Sequence, residues 1–163
     1  ENGETLRNVE IAFRTWGDPA NAADRAILIC HALTGSADVE AWWPRIIGAG
    51  RAFDPSRDYI VCANILGSCY GTTGPVSRNP ATGERYRADF PQVSVRDMVE
   101  LQRVLLDELG IARVELVTGP SLGGMQALEC TANVARNPRA ALVAPRAGAG
   151  ADHVGERRVG ADF

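Results

Sequence analysis

The segment VTGPSLGGMQALE, residues 117–129, constrains the fold more than any other part of the chain. Its central residues Gly119–Gly123 match the pattern G-x-S-x-G, which is typical of a strand that turns sharply into a helix around an exposed serine. Small residues two positions before and after the serine allow the strand and the helix to approach each other. We therefore predict that Ser121 is a nucleophile. The alternative is a turn serine in a structural or nucleotide-binding loop.

The hydrophobic pattern around this segment predicts a mostly parallel α/β sheet. Short apolar runs bounded by turn residues are typical of strands that are covered on both faces. The predicted strands are VEIAFRTW (9–16), AILIC (26–30), YIVCANI (59–65) and RVELVT (113–118), and a helix is predicted from residue 123. Strands and crossovers in this order indicate an α/β domain.

The segment SVRDMVELQRVLLDELG is the clearest predicted helix. Ser94 and Asp97 have the spacing of a capping box, and Gly110 provides a C-terminal stop. Its apolar positions recur with helical spacing, and Gln102 is the one polar residue within that stripe.

A serine nucleophile requires two backbone N–H donors that stabilise an oxyanion. The residue after the nucleophile, Leu122, provides one, and the loop after an earlier strand provides the other. Here AILIC runs into HALTG, which predicts the N–H of Leu33 as the second donor. We interpret His31 as a brace for this loop rather than as the catalytic base, because the base follows the serine along the chain in this type of fold.

The acid and base of a triad are not evident in this sequence. His153 is the one histidine after Ser121, and Asp152 stands directly before it. Adjacent residues can seldom act as orienting acid and base, because the carboxylate must reach the far side of the imidazole. We therefore do not expect Asp152 and His153 to be triad members.

Composition excludes several classes of function. A chain of 163 residues with a formal net charge of -3 is long enough for one core and offers no basic patch for nucleic acid. We predict no metal site and four reduced thiols in a cytoplasmic protein, since the cysteines form no CxxC pair. No apolar run approaches a membrane span, and the N-terminus lacks a secretory pattern. The absence of an initial methionine suggests a processed, trimmed or partial chain.

The last part of the chain differs from the rest. We divide the sequence into residues 1–130, the N-terminal part of a core domain, and residues 131–163, a tail rich in Ala, Gly and Arg. No regular hydrophobic period continues beyond about residue 136. Two interpretations stay open: a natural, disordered tail, or GC-rich DNA translated out of frame.

Five segments of residues 4–130 resemble the homoserine O-acetyltransferase family, the α/β-hydrolase-fold acyltransferases of methionine biosynthesis. They are CHALTGSAD, WWPRIIGAGRAFDPSRDYIVCANILGSCYGTTGP, NPATGERY, DFPQVSVRDMV and GPSLGGMQALE. Members of that family are considerably longer, and their triad Asp and His lie downstream of a helical lid. Cys130 stands where a tryptophan is usual, and the resemblance ends there. It therefore implies an incomplete α/β-hydrolase fold with a nucleophile elbow.

The resemblance implies acyl transfer from acetyl-CoA to L-homoserine through an acyl-Ser121 intermediate, with no bound cofactor. It also implies a homodimer for the full-length enzyme, and no partner that is a nucleic acid or a membrane. Several alternatives stay open. The donor could be succinyl-CoA, the acceptor could be serine, and the fold could serve an esterase-like hydrolase. The chain could also be a non-catalytic fragment.

Overall fold

The computed structural model describes residues 5–134 and the backbone of residues 154–161, with side chains up to residue 132. The strands in these residues are β1 (Val9–Trp16), β2 (Ala26–Ile29), β3 (Tyr59–Ala63), β4 (Leu116–Thr118) and β5 (Val154–Ala161). The α-helices are α1 (Ala22–Arg25), α2 (Val39–Trp42), α3 (Val95–Glu108) and α4 (Leu122–Val134). Short 3-10 helices occupy Pro19–Asn21 and Arg87–Asp89.

The strands form one sheet in the order β4-β2-β3-β1-β5. Strand β2 pairs in parallel with both β3 and β4. Strand β1 runs antiparallel to β3 and to β5. Four of these five strands therefore point in the same direction, which confirms the predicted mostly parallel α/β sheet.

Each face of the sheet is covered by its own apolar cluster, because the side chains of a strand alternate between the two faces. Leu28 of β2 and Cys30, which directly follows this strand, lie in the larger cluster, together with Leu101 and Leu105 of α3. Ile27 and Ile29 point to the opposite face, where they join a second cluster formed with residues of the 37–53 segment. Covering on both faces explains why these strands are continuous apolar runs rather than alternating ones.

Helix α3 confirms the predicted caps. The Ser94 side chain accepts a hydrogen bond from the N–H of Asp97, and the Asp97 carboxylate accepts one from the N–H of Ser94. At the other end, Gly110 has a φ of 70° and its N–H donates to the carbonyl of Asp107. Each end of the helix is therefore specified by local sequence, as the spacing predicts.

Two strands are shorter than the sequence predicts. Strand β3 ends at Ala63. The next residue, Asn64, still donates its N–H to Ala12 O of β1 at 2.8 Å, while its side chain bonds to two loops. Strand β4 begins at Leu116 rather than at Arg113. Its partner β2 begins only at Ala26, so the residues before Glu115 have no strand to pair with.

The tail is described only in part. Residues 154–161 form β5, which pairs with β1 from Val9↔Ala161 to Trp16↔Val154. No hydrophobic period of the sequence predicts this strand. Residues 135–153 lie outside the described residues, so the division at residue 130 and both interpretations of the tail stay predictions.

Candidate active site

Ser121 lies at the apex of the turn between β4 and α4. Its φ of 54° places it in the left-handed region, which a residue with a side chain rarely adopts. The backbone around it is closed by two short hydrogen bonds, Gly123 N–H to Pro120 O at 2.9 Å and Met125 N–H to Ser121 O at 3.1 Å. The residue is exposed. The sequence thus folds into a strained turn that presents one hydroxyl to solvent.

The glycines on either side of this serine are required by a close approach of two chain segments. A Cβ atom added to Gly119 or to Gly123 would lie 1.9 Å from the carbonyl oxygen of Cys30. The N–H of Cys30 donates to Thr118 O at 2.8 Å, which joins the ends of β2 and β4. The start of α4 therefore lies directly against the end of β2, and no larger residue fits at either glycine.

The segment that follows β2 forms a tight turn over residues 32–35. The N–H of Gly35 donates to Ala32 O at 2.8 Å, which leaves Leu33 and Thr34 at the corner. The Leu33 side chain is 73% exposed. Within the described residues, the N–H groups of Leu33 and Leu122 donate no hydrogen bond.

His31 is fully buried beneath this turn, and both of its ring nitrogens contact backbone groups. Nε2 accepts a hydrogen bond from the N–H of Ile65 at 3.3 Å. The proton therefore lies on Nδ1, which donates to Ala32 O at 2.7 Å. Burial lowers the pKa of His31, against the opposing effect of the bond to Ala32. A neutral imidazole bonded at both nitrogens fits the predicted brace better than a catalytic base.

Asn64 is a supporting residue that the sequence analysis missed. Its Oδ1 accepts from the N–H of Ala37 at 2.6 Å, and its Nδ2 donates to Tyr70 O at 2.6 Å. These bonds connect the loop after β2 to the glycine-rich loop after β3. The one available signal was a polar residue at the end of an otherwise apolar strand, where a buried amide must find partners.

The described residues provide no histidine that could act as the base of a catalytic triad. His31 is bonded to backbone at both nitrogens, and Asp152 and His153 lie outside the described residues. Residues 5–132 contain no group of three or more side chains that could hold a metal ion. The four cysteines are free thiols, and Cys30 and Cys62 are buried. What residues 5–134 bring together is a strained serine and two turns with unbonded N–H groups.

The comparisons with known proteins agree with this geometry. A family model described as the alpha/beta hydrolase fold matches residues 25–145. The chain is 61% identical to a homoserine O-acetyltransferase of Chlorobium luteolum over 129 residues, which is 79% of this chain and 36% of that protein. A homoserine O-acetyltransferase of Nostoc punctiforme is 55% identical over the same length. The chain thus spans about a third of the length of the curated relatives it matches.

Solved structures of two kinds of enzyme share this fold. A homoserine O-acetyltransferase from Bacillus anthracis has a TM-score of 0.67 and 29% identity, covering 77% of this chain and 42% of its own. An esterase has a TM-score of 0.70 and 37% identity, covering 77% of this chain and 39% of its own. The strained serine, the close-packed glycines and the matched family model lead to one conclusion: the chain belongs to the alpha/beta hydrolase fold family.

Proposed function

We propose that this chain carries the nucleophile and oxyanion-binding half of a homoserine O-acetyltransferase. The observation that carries the proposal is the backbone at Ser121, which holds a non-glycine residue at a φ of 54° between β4 and α4. Strain of this kind is concentrated at functional sites. The 61% identity to a homoserine O-acetyltransferase supports this acyl transfer over the other reactions of the fold.

In the proposed first half-reaction, Ser121 Oγ attacks the thioester carbonyl carbon of acetyl-CoA. A C–O bond forms, the carbonyl oxygen becomes an oxyanion, and the carbon–sulfur bond then breaks to release the CoA thiol. The proton of Ser121 passes to a base and then to the leaving sulfur. In the second half-reaction the hydroxyl oxygen of L-homoserine attacks the acetyl-serine ester and its proton passes to the base. The bond between the acetyl carbon and Ser121 Oγ then breaks and Ser121 Oγ takes up that proton, which gives O-acetyl-L-homoserine and free Ser121.

Leu33 and Leu122 are the proposed oxyanion donors. Their N–H groups are unbonded within the described residues, and they lie on two turns that His31 and the elbow glycines hold in place. The N-terminus of α4 adds the positive end of a helix dipole beside Ser121. A donor pair held before the reaction starts costs no reorganisation when the charge develops, and loss of one such donor typically slows catalysis about 100-fold or more.

The proposal extends to setting and partners. Acetyl-CoA is a co-substrate rather than a bound cofactor, and the full-length enzyme is proposed to be a cytoplasmic homodimer without nucleic-acid or membrane partners. The helices of residues 5–134 are all too short to span a bilayer, the longest having 14 residues. Transfer of succinyl rather than acetyl groups, or to serine rather than homoserine, is distinguished by the assay below.

Ester hydrolysis is the second candidate function. A solved esterase is 37% identical to this chain, which is more than the identity to the solved acetyltransferase from Bacillus anthracis. The two activities share the acyl-serine intermediate and differ in the acyl donor, an ester or a thioester, and in the acceptor, water or homoserine. A transferase must favour homoserine over water in the second step, which requires a site that excludes water.

The test replaces the matched 129-residue segment of the Chlorobium luteolum enzyme with the corresponding residues of this chain. We expect this chimera to release thiol from acetyl-CoA continuously only when homoserine is present, and to release no more than one thiol per enzyme in its absence. Ser121→Ala should abolish both. Thr82→Ala removes an exposed hydroxyl elsewhere and is the matched control. Succinyl-CoA and serine are run in parallel as alternative donor and acceptor.

Three outcomes separate the candidates. Continued thiol release over many turnovers without homoserine or serine would favour the hydrolase. Release that persists in Ser121→Ala would contradict the proposed nucleophile. We expect the 163-residue chain alone to release no thiol, because its described residues provide no base.

A further inference from the structure

Two glutamines are buried between helices α3 and α4, at a place where apolar residues would be ordinary. Gln102 interrupts the apolar stripe of α3 and is 4% exposed, and Gln126 of α4 is fully buried. An amide buried without partners is destabilising, because it loses its hydrogen bonds to water and gains none in return. These two side chains therefore need bonds to each other or to their surroundings.

The two amides form the centre of a hydrogen-bonded chain. Gln102 Nε2 donates to Gln126 Oε1 at 2.7 Å, and Gln126 Nε2 donates to the carbonyl of Leu122 at 3.5 Å. On the other side, the thiol of Cys30 donates to Gln102 Oε1 at 3.4 Å. Burial raises the pKa of Cys30, which keeps the thiol protonated and able to donate. This fixes which end of each amide faces which partner.

Cys30 connects this chain of bonds to the elbow. Its side chain contacts Gln102, whereas its carbonyl oxygen lies against Gly119 and Gly123. The amides therefore reach the first turn of α4 by two routes, through the Leu122 carbonyl and through the end of β2. Apolar contacts allow a helix to slide or rotate slightly, while a 2.7 Å bond between directional groups does not.

We propose that the Gln102–Gln126 pair is a positioning device that fixes the rotation of α4, and with it the direction of the Leu122 N–H. The inference rests on the proposed function, because it assigns the Leu122 N–H to the oxyanion. It makes Gln102 and Gln126 positioning residues for acyl transfer, acting through α4 and without contact to the substrate.

Paired substitutions separate positioning from stability. Gln102→Leu or Gln126→Leu alone leaves one buried amide without its partner, so each should lower the unfolding temperature of the chain. The double variant Gln102→Leu/Gln126→Leu replaces both amides by apolar groups, which is often nearly neutral for stability. If the role of the pair were purely structural, the double variant would therefore regain both the native unfolding temperature and the native geometry at Leu122.

The readouts are the unfolding temperature and the amide NMR cross-peaks of Leu122 and Gly123 in this chain, and kcat and KM in the chimera. We expect the double variant to regain most of the unfolding temperature while the two cross-peaks stay displaced. In the chimera its kcat should fall about tenfold or more with KM nearly unchanged, as for a misplaced catalytic group. Gln92→Leu changes an exposed glutamine and should alter none of these.

A double variant with native cross-peaks, and with native kcat wherever the chimera is active, would overturn the inference. Since the cross-peaks need no chemistry, they test positioning even if the chimera proves inactive. Inactivity of the unsubstituted chimera together with displaced cross-peaks would contradict the proposed function and leave the positioning intact.

Discussion

The two neighbouring strands β2 and β4 are covered to different extents. Every residue of β2 is buried, whereas every residue of β4 is only half-buried. Helix α4, which follows β4, leaves Met125 and Leu128 58% and 72% exposed. The candidate nucleophile thus lies at the less covered end of the sheet, and the stabilising core lies beside it.

The difference in burial between β2 and β4 follows from the number of strands that pair with each. Strand β2 is paired on both sides, by β3 and β4, while β4 has a described partner on one side only. Both apolar clusters centre on β1, β2 and β3. The well-covered region therefore fixes the positions of His31, Cys30 and Asn64, and the elbow takes its geometry from them.

The substitution with the largest expected effect on stability breaks the contact between the end of β2 and the start of α4. Gly123→Ala places a Cβ 1.9 Å from Cys30 O, so the free energy of unfolding should fall by about 3 kcal/mol or more. Gly124→Ala, one residue further, meets Gly119 O at 3.2 Å and gains helix propensity, so it should change stability by less than about 1 kcal/mol. Chemical denaturation measures both. Equal losses would contradict the close approach at Cys30.

A second pair of substitutions compares the two regions directly. Leu105→Ala removes a fully buried side chain from the larger cluster and should cost about 2–5 kcal/mol. Leu128→Ala removes the same atoms from an exposed position on α4 and should cost less than about 0.5 kcal/mol. A large loss of stability in Leu128→Ala, measured by denaturant unfolding, would mean that this face of α4 is covered in solution.

Relief of backbone strain at Ser121 should have a smaller effect on stability, and one of the opposite sign. Ser121→Gly lets the residue adopt a φ of 54° without cost, which should stabilise the chain by about 0.5–1 kcal/mol after the entropy of glycine is counted. Ser121→Ala keeps the strain and is the control. Thermal unfolding of the two variants compares them, and a Gly variant no more stable than the Ala variant would argue against a strained elbow.

The smallest expected effect concerns pH. Burial lowers the pKa of His31 in the folded state, so the unfolded chain binds a proton first, at about pH 6.5. The contribution of His31 to stability is therefore complete above that pH and is lost as the pH falls towards its folded pKa. His31→Asn should flatten this part of the stability profile, which unfolding temperatures measured from pH 5 to 8 would reveal. An unchanged slope in the variant would assign the acid sensitivity to other groups.

Local sequence predicted much of this molecule. The caps of α3 depend on residues three or four positions apart, and the elbow depends on five consecutive residues. The bonds that support the site could not be predicted in the same way. Asn64 reaches a residue 27 positions earlier, and Gln102 reaches one 24 positions later, so only the fold brings them together. Sequence periodicity marked Gln102 as a gap in an apolar stripe without identifying its partner.

The central claim is that Ser121 accepts the acyl group. The most direct measurement incubates the chimera with acetyl-CoA in the absence of homoserine, quenches it with acid and locates the acetyl group by peptide mass spectrometry. Acetyl on the peptide that contains Ser121, and its disappearance when homoserine is added before the quench, is the predicted result. An acetyl group on another residue, such as the exposed Cys69, with none on Ser121 would contradict the account.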